Sequence, residues 1–444
     1  MRFWWFLIWF SSLTLAQKPY QLKPGHKFAE IPFKFVNNLV VLPVDVNGIR
    51  INLVLDTGVK QTILFNIKTA DSLSLKNIRM HHFTGIGKAH KVIPAISSSH
   101  NHIQIGSAVV NNEAQLYLIP NFDFHISENI GFPIQGLIGG DLLKDFIVKL
   151  DFKRKKIILY NRQYFDKKNL KKSHVYNLDI KDEKPYLKGF IQAGKKNKSS
   201  DSLKFLLDTG NSDALWLFDR QKLNLQSNKK MFRDYFGMGF SGMVEGDRTQ
   251  IYRFGFDKKY CFKKVYIGLP DNVYFKHILK NNAFDGIIGN EILKRFYVWF
   301  DYKAKKLYLK KYPRNYRQAF LYNEMGLNLA YDGKIPVQVK KIKTEFANQY
   351  SSGVIFLTGK DTWVYQYKFV DKLVINYIRK DSPADRAGLM PGDILLKIND
   401  QNVYNYTLEE LEKRFFYHNR KHLKLLIKRK GLILRFNIIN TKNL

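Results

Sequence analysis

One cysteine, Cys261, in 444 residues excludes an intrachain disulfide and any cysteine cluster for zinc. No Cys-His pattern surrounds it, so it reads as a small core residue and not as a nucleophile. Acidic residues are also scarce: 38 Asp and Glu stand against 73 Lys and Arg, a formal net charge of +35. Such a balance invites a nucleic-acid reading. However, the basic residues are spread along the whole chain, with no basic low-complexity tail and no DNA- or RNA-binding motif, so no nucleic-acid partner is expected. The abundance of Lys, Asn, Ile, Phe and Tyr fits compositional drift better than a dedicated polyanion surface. Apolar residues are not lacking. At 45% hydrophobic and 15% aromatic the chain is too apolar to be disordered, and its length allows two or three domains with separate cores.

The N-terminus reads as a secretory signal over residues 1–16. Arg2 supplies the positive end, residues 3–10 the apolar segment, and Thr14-Leu15-Ala16 a small-residue exit before Gln17. The apolar segment is too short for a stable membrane span, so none is expected once the signal is cleaved. With no cysteine near the exit to carry a lipid, this predicts export to the periplasm, the cell surface or the extracellular space of a bacterium, without disulfides.

Leu55-Asp56-Thr57-Gly58 recurs as Leu207-Asp208-Thr209-Gly210. Each copy ends one apolar run and precedes another. An Asp-Thr-Gly triplet alone is weak, because Asp and Gly are common in turns. The spacing decides the matter: Asp208 follows Asp56 by 152 residues, Gly289 follows Gly139 by 150, and Asp301 follows Asp151 by 150. Three landmarks in common order at near-constant intervals predict an internal duplication of two mostly β units. The flanking runs, residues 31–36, 39–46 and 50–55, read as strands, with an Asn47-Gly48 hairpin between the last two. Phe83-Thr84-Gly85-Ile86-Gly87 begins 27 residues after Asp56, and Phe236 begins a similar Gly-spaced hairpin 28 residues after Asp208.

The two Asp-Thr-Gly sites, followed by Leu137-Ile138-Gly139 and Ile287-Ile288-Gly289, resemble those of aspartic peptidases of the pepsin and retroviral type. The resemblance runs from about residue 30 to 312. It implies a mainly β, bilobal, acid-protease-like double barrel, with an N-terminal lobe over 17–160 and a C-terminal lobe over 161–313. It implies that Asp56 and Asp208 are catalytic, that Thr57 and Thr209 cross-link the two loops, and that Gly58 and Gly210 let the chain turn beneath the carboxylates. Gly139 and Gly289 would pass behind those loops, and Phe83, Gly85, Ile86 and Gly87 would form a substrate-covering flap. The chemistry makes sense apart from the family. Hydrolysing an amide without metal or nucleophile needs a base for water and an acid for the substrate, and two adjacent carboxyls sharing one proton supply both. One departure stands out. Where the family usually places Ser, Thr or Ala after the triplet, this chain has Val59 and Asn211.

The C-terminal region, 314–444, carries Ser382-Pro383-Ala384, Ala387-Gly388-Leu389, Pro391-Gly392-Asp393 and Ile398-Asn399. This block resembles the α+β PDZ domains attached to bacterial envelope proteases. The resemblance implies recognition of a free C-terminal carboxylate by strand addition, with Met325-Gly326-Leu327 as the expected carboxylate loop. A helix is predicted over 407–417, and residues 343–368 read as an inserted hairpin. His81, His82, His90, His100 and His102 cluster without a metalloprotease motif, so no metal and no cofactor are expected. The sequence thus predicts an exported aspartic-type endopeptidase. Its partners are protein or peptide substrates and C-terminal peptides, and it acts as a monomer because both half-sites lie in one chain. The alternative is an inactive peptide-binding scaffold of the same shape.

Overall fold

A computed structural model of the chain describes residues 19–67, 73–84, 92–120, 125–196, 200–219, 231–239, 242–275, 284–351, 354–416 and 422–439. The expected signal at 1–16 and the flap positions Gly85, Ile86 and Gly87 lie outside these residues, as does His90. Phe83 sits in the strand Arg79–Thr84.

The molecule is mainly β, and its turns show why. Asn47 and Gly48, with φ of 51° and 89°, join Leu39–Val46 to Ile49–Leu55. Lys430 and Gly431, at 47° and 88°, join His422–Arg429 to Leu432–Ile439. Paired left-handed residues give the turn whose twist matches that of the strands it connects.

Each half builds one sheet around its Asp-Thr-Gly loop. In the first, Gly136–Ile138 lies parallel to Ile49–Leu55 and antiparallel to Thr62–Leu64. In the second, Gly286–Ile288 lies parallel to Ser200–Leu207 and antiparallel to Leu215–Leu217. A third sheet joins the halves. Its order is His174–Asn177, Lys306–Lys311, Phe296–Asp301, Ile147–Asp151, Lys156–Tyr160, Phe28–Pro32, three strands from each half. At its middle, Ile147–Asp151 runs antiparallel to Phe296–Asp301, with Lys149 opposite Trp299. One buried apolar cluster runs from Tyr20 to Tyr322 through both halves. At roughly 1.5–3 kcal/mol per buried large apolar side chain, this shared core ties the lobes into one unit.

A separate core begins at Met325 and includes Leu327, Leu373, Ile375, Leu408, Phe415 and Ile427. Phe320 and Tyr322 still belong to the first core, so the change of domain falls between Tyr322 and Met325. The second unit is an α+β PDZ domain. Ser382 caps the helix Pro383–Arg386, its hydroxyl accepting from the Asp385 N–H at 3.2 Å. Thr407 and Glu410 form a reciprocal cap on the helix Leu408–Lys413, which is shorter than the helix expected over 407–417: residues 414–416 already turn away from it, and Tyr417 lies outside the described residues. The expected insertion at 343–368 is the outer part of a longer hairpin. Leu327–Ser351 and Val354–Ile378 pair continuously in outline from Leu327 opposite Ile378 to Ser351 opposite Val354. No described helix is long and apolar enough to cross a membrane.

Candidate active site

Asp56 ends the strand Ile49–Leu55, and Asp208 ends Ser200–Leu207. Each is fixed by the strand beside it: the Asp56 N–H donates to the Ile138 carbonyl and the Asp208 N–H to the Ile288 carbonyl, both at 2.9 Å. The two carboxyls are hydrogen-bonded to each other. The Gly58 N–H donates to Asp56 Oδ1 at 2.7 Å, and the Gly210 N–H to Asp208 Oδ1 at 2.8 Å. Each glycine also lies against the opposite carboxylate. A Cβ on Gly210 would fall 2.4 Å from Asp56 Oδ2, and one on Gly58 3.0 Å from Asp208 Cγ. A side chain at Gly210 would therefore occupy the space of the dyad.

Thr57 and Thr209 are fully buried and exchange bonds across the seam. Each N–H donates to the other's hydroxyl, at 3.1 and 3.0 Å, and the hydroxyls donate to the Leu207 and Leu55 carbonyls, both at 2.6 Å. Gly139 and Gly289 run behind the loops. A Cβ on Gly139 would meet the Val59 carbonyl at 2.6 Å, and one on Gly289 the Asp213 carbonyl at 2.3 Å.

Burial raises the proton affinity of both carboxyls. For Asp208 the charge and hydrogen bond of Asp56 add to this, so Asp208 is pushed well above the ordinary carboxylate range. The physical statement belongs to the pair: it binds one proton tightly and shares it. Val59, the residue that departs from the family pattern, offers its backbone N–H to Asp56, which lowers the affinity of that carboxyl. Asn211 turns its side-chain oxygen to the Asp213 N–H at 2.8 Å, within its own loop.

Several residues here carry no sequence motif. Lys184 lies near enough that its positive charge lowers the proton affinity of both Asp56 and Asp208. The turn Asn37-Asn38 reaches across the lobes. Asn38 donates to the Ser212 carbonyl at 3.0 Å and to Glu291 at 3.1 Å, and its carbonyl accepts from Asn290 Nδ2 at 2.7 Å. Asn290 Nδ2 also donates to the Thr209 carbonyl at 2.6 Å, directly behind the second loop. Aligning the halves at their turns would have found the matching Asp182-Glu183, whose Glu183 accepts from Lys144 at 3.1 Å in the opposite lobe.

The PDZ unit touches the same machinery. Asn37 donates to Glu412 of its helix at 3.2 Å. Arg379, 1% exposed, lies 3.7 Å from Asp234, which pairs with Arg248, which in turn pairs with Asp213 at 3.2 Å. The expected carboxylate loop is engaged internally: Met325 and Leu327 are buried in the PDZ core, and the Gly326 N–H donates to Asn323 Oδ1 at 2.9 Å. Beside it, the Leu329 N–H is taken by Glu412. Among the described residues His81, His100 and His102 have separate partners. His81 bonds Ser97 Oγ at 2.7 Å, His100 pairs with Glu113, and His102 bonds Asn112 at 2.8 Å. Among the described residues no group of His, Cys, Asp and Glu is placed to hold a metal ion.

The aspartyl protease family model matches residues 42–142, and a PDZ domain model matches residues 374–429. This chain therefore resembles aspartic peptidases in its first part and PDZ domains in its last. Among solved structures it is similar to an aspartic proteinase from Irpex lacteus, at 13% identity and a TM-score of 0.40, over 64% of this chain and 97% of that one. Conglutin gamma, a basic 7S globulin from lupine seeds, follows at 11% identity and 0.39, over 64% and 95%. Basic 7S globulin from soybean stands at 8% and 0.39, over the same shares. No curated protein matches.

Proposed function

We propose that this chain is an exported aspartic-type endopeptidase, with Asp56 and Asp208 as one acid–base unit. The observation that carries the proposal is the mutual arrangement of two hydrogen-bonded carboxyls, each lying against the other loop's glycine and joined by the Thr57–Thr209 cross-link. A water held between the carboxyls attacks the scissile carbonyl carbon. Its proton passes to the ionised carboxylate, while the protonated partner gives its proton to the carbonyl oxygen. Collapse of the resulting diol returns a proton to the leaving nitrogen as the C–N bond breaks. The hairpin that starts at Arg79–Thr84, with Phe83, Gly85, Ile86 and Gly87, covers an extended peptide.

The test is cleavage of an unfolded protein between about pH 3 and 8, where a dyad sharing one proton operates. Cleavage blocked by a transition-state peptide inhibitor is the expected result. Absence of cleavage across that range removes the enzyme and leaves a scaffold, and cleavage that survives Asp56→Asn removes the mechanism.

The same proposal assigns protein C-termini to the PDZ unit at Met325-Gly326-Leu327, on the condition that Asn323 releases the Gly326 N–H. Free-acid peptides should then bind and their C-terminal amides should not. Equal binding of both removes this assignment. Export is read from mass: a mature chain beginning at Gln17 is expected.

A further inference from the structure

The PDZ hairpin extends far beyond the domain that roots it. Leu327, Leu329, Leu373 and Ile375 anchor it in the PDZ core, whereas further out Ile342, Trp363, Tyr365, Tyr367 and Phe369 are exposed. From Gly333 to Ser351 the arm is about 60 Å long at ~3.4 Å per residue. It falls outside both family matches except at its base.

Its two faces differ. Trp363, Tyr365, Tyr367 and Phe369 alternate along one strand and so share one face, at 58%, 63%, 72% and 67% exposure. Opposite them stand Ile342, Lys340, Gln338 and Pro336. Lys340 Nζ lies 4.3 Å from the centre of the Trp363 ring. A row of four exposed aromatic side chains is more than the scattered apolar residues a soluble surface tolerates, and it calls for something to cover it.

The charges identify the occupant. Between residues 333 and 370 six Lys stand against only Glu345 and Asp361, and residues 346–359 carry no charged side chain. Aromatic rings with a polar handle, flanked by lysines, match the headgroup level of an anionic bilayer, where ring and ammonium are both accommodated. A second copy of the chain would bring the same lysine excess against itself. A peptide would pair along a strand edge and leave the aromatic face bare. The arm has two strands only, so its outer edges carry unpaired backbone groups that hydrocarbon cannot satisfy. It therefore lies flat instead of spanning.

We propose that this arm docks the protein on anionic phospholipid surfaces through the Trp363, Tyr365, Tyr367 and Phe369 face, with Lys334 and Lys340, which share that face, at the phosphates, and the lysines of the other face adding to the arm's positive charge. The proposal stands independently of catalysis.

The test places an environment-sensitive fluorophore on the full chain, in a Cys261→Ser background, at Tyr367→Cys on the aromatic face or Gln366→Cys on the other. Vesicles of phosphatidylcholine with about one-third phosphatidylglycerol should shift the emission at 367 to the blue and leave 366 nearly unchanged. Pure phosphatidylcholine should give little shift. K334E/K340E should weaken the response about thirtyfold in lipid concentration, at about 1 kcal/mol per lysine lost. That variant keeps the same N-terminal apolar segment, so the difference reads the arm alone, and an unchanged melting temperature confirms its fold. No shift at 367 overturns the proposal. Equal shifts at 366 and 367 overturn it in favour of insertion. A shift at 367 that follows protein concentration without lipid overturns it in favour of self-association, and one that follows added unfolded polypeptide in favour of a substrate arm.

Discussion

The hairpins that stand at the flap position in the two halves have come to different ends. In the first, Arg79–Thr84 pairs with Val92–Ile105, and Met80 is 68% exposed. In the second, Phe232–Gly239 pairs with Gly242–Gly255 and is held by the PDZ unit. Tyr235 stacks on Tyr377 at 5.2 Å, and the Arg379 guanidinium lies 4.3 Å from the Phe232 ring. The cross-lobe turns diverge in the same way. Asn37-Asn38 clasps the second lobe through neutral amides and also reaches Glu412, whereas Asp182-Glu183 uses an ion pair with Lys144. Duplication preserved the backbone at the dyad while the surroundings specialised. The first hairpin leaves Met80 exposed, and the second is fastened to an extra domain.

The comparison can be broken most forcefully at the dyad, where the halves are most alike. Asp56→Asn and Asp208→Asn should each lower kcat by about 10³-fold or more, because either change removes the shared-proton pair. A large difference between them in cleavage assays would show that the halves divide the chemistry unequally. Next comes the buried cross-link. Thr57→Val or Thr209→Val leaves a buried N–H and a buried carbonyl without their partner and should cost about 2–3 kcal/mol in denaturant unfolding. The double variant should cost less than the sum, since both act on one network.

The PDZ side of the asymmetry is exposed by pH. Burial raises Glu412 from its ordinary value to about 8, against the hydrogen bonds from Leu329 and Asn37 that favour its ionised form. The folded state thus holds this proton more tightly than the unfolded chain. The stabilisation is full below pH 4.5 and is lost as pH rises through about 8. Relative to wild type, Glu412→Gln should therefore flatten the fall of melting temperature between pH 5 and 8.5. An identical pH dependence in the two proteins would exclude Glu412 as its source. The smallest effect concerns Lys184, whose place in the first half is taken by the buried Leu39. Lys184→Leu removes a charge that lowers the proton affinity of both carboxyls, so the profile of kcat/KM should move to higher pH. A shift downward, or none, would contradict that role.

What the sequence made legible is what repeats or turns tightly. Asp-Thr-Gly, the apolar-apolar-Gly elements and the Asn47-Gly48 hairpin depend on neighbours within a few residues or on a fixed interval, and all stand where spacing put them. Three other features were hidden because they depend on contacts between distant parts. Lys184 looks like any lysine at a strand start, and only tertiary packing brings it to the dyad. Asn290 differs from its counterpart Gly140 because it must reach Asn38 and Thr209 together. The sequence marks only 343–368 as an insertion because the regular pairing of Leu327–Ser351 absorbs residues that, read singly, belong to a domain strand.

Lys149 opposite Trp299 carries a consequence of another kind. The two residues are 150 apart, the interval that relates the halves, and Ile147–Asp301 and Asp151–Tyr297 flank them symmetrically. A pseudo-twofold axis therefore passes through this one pair. Across such an axis two identical chains would set like against like, lysine on lysine or tryptophan on tryptophan. Here the Lys149 ammonium lies 5.1 Å from the Trp299 ring and 5.4 Å from that of Tyr297, a contact worth about 0.5–2 kcal/mol. In assembly terms the seam is heterotypic: a cation faces an aromatic ring where two copies of one half would face like with like.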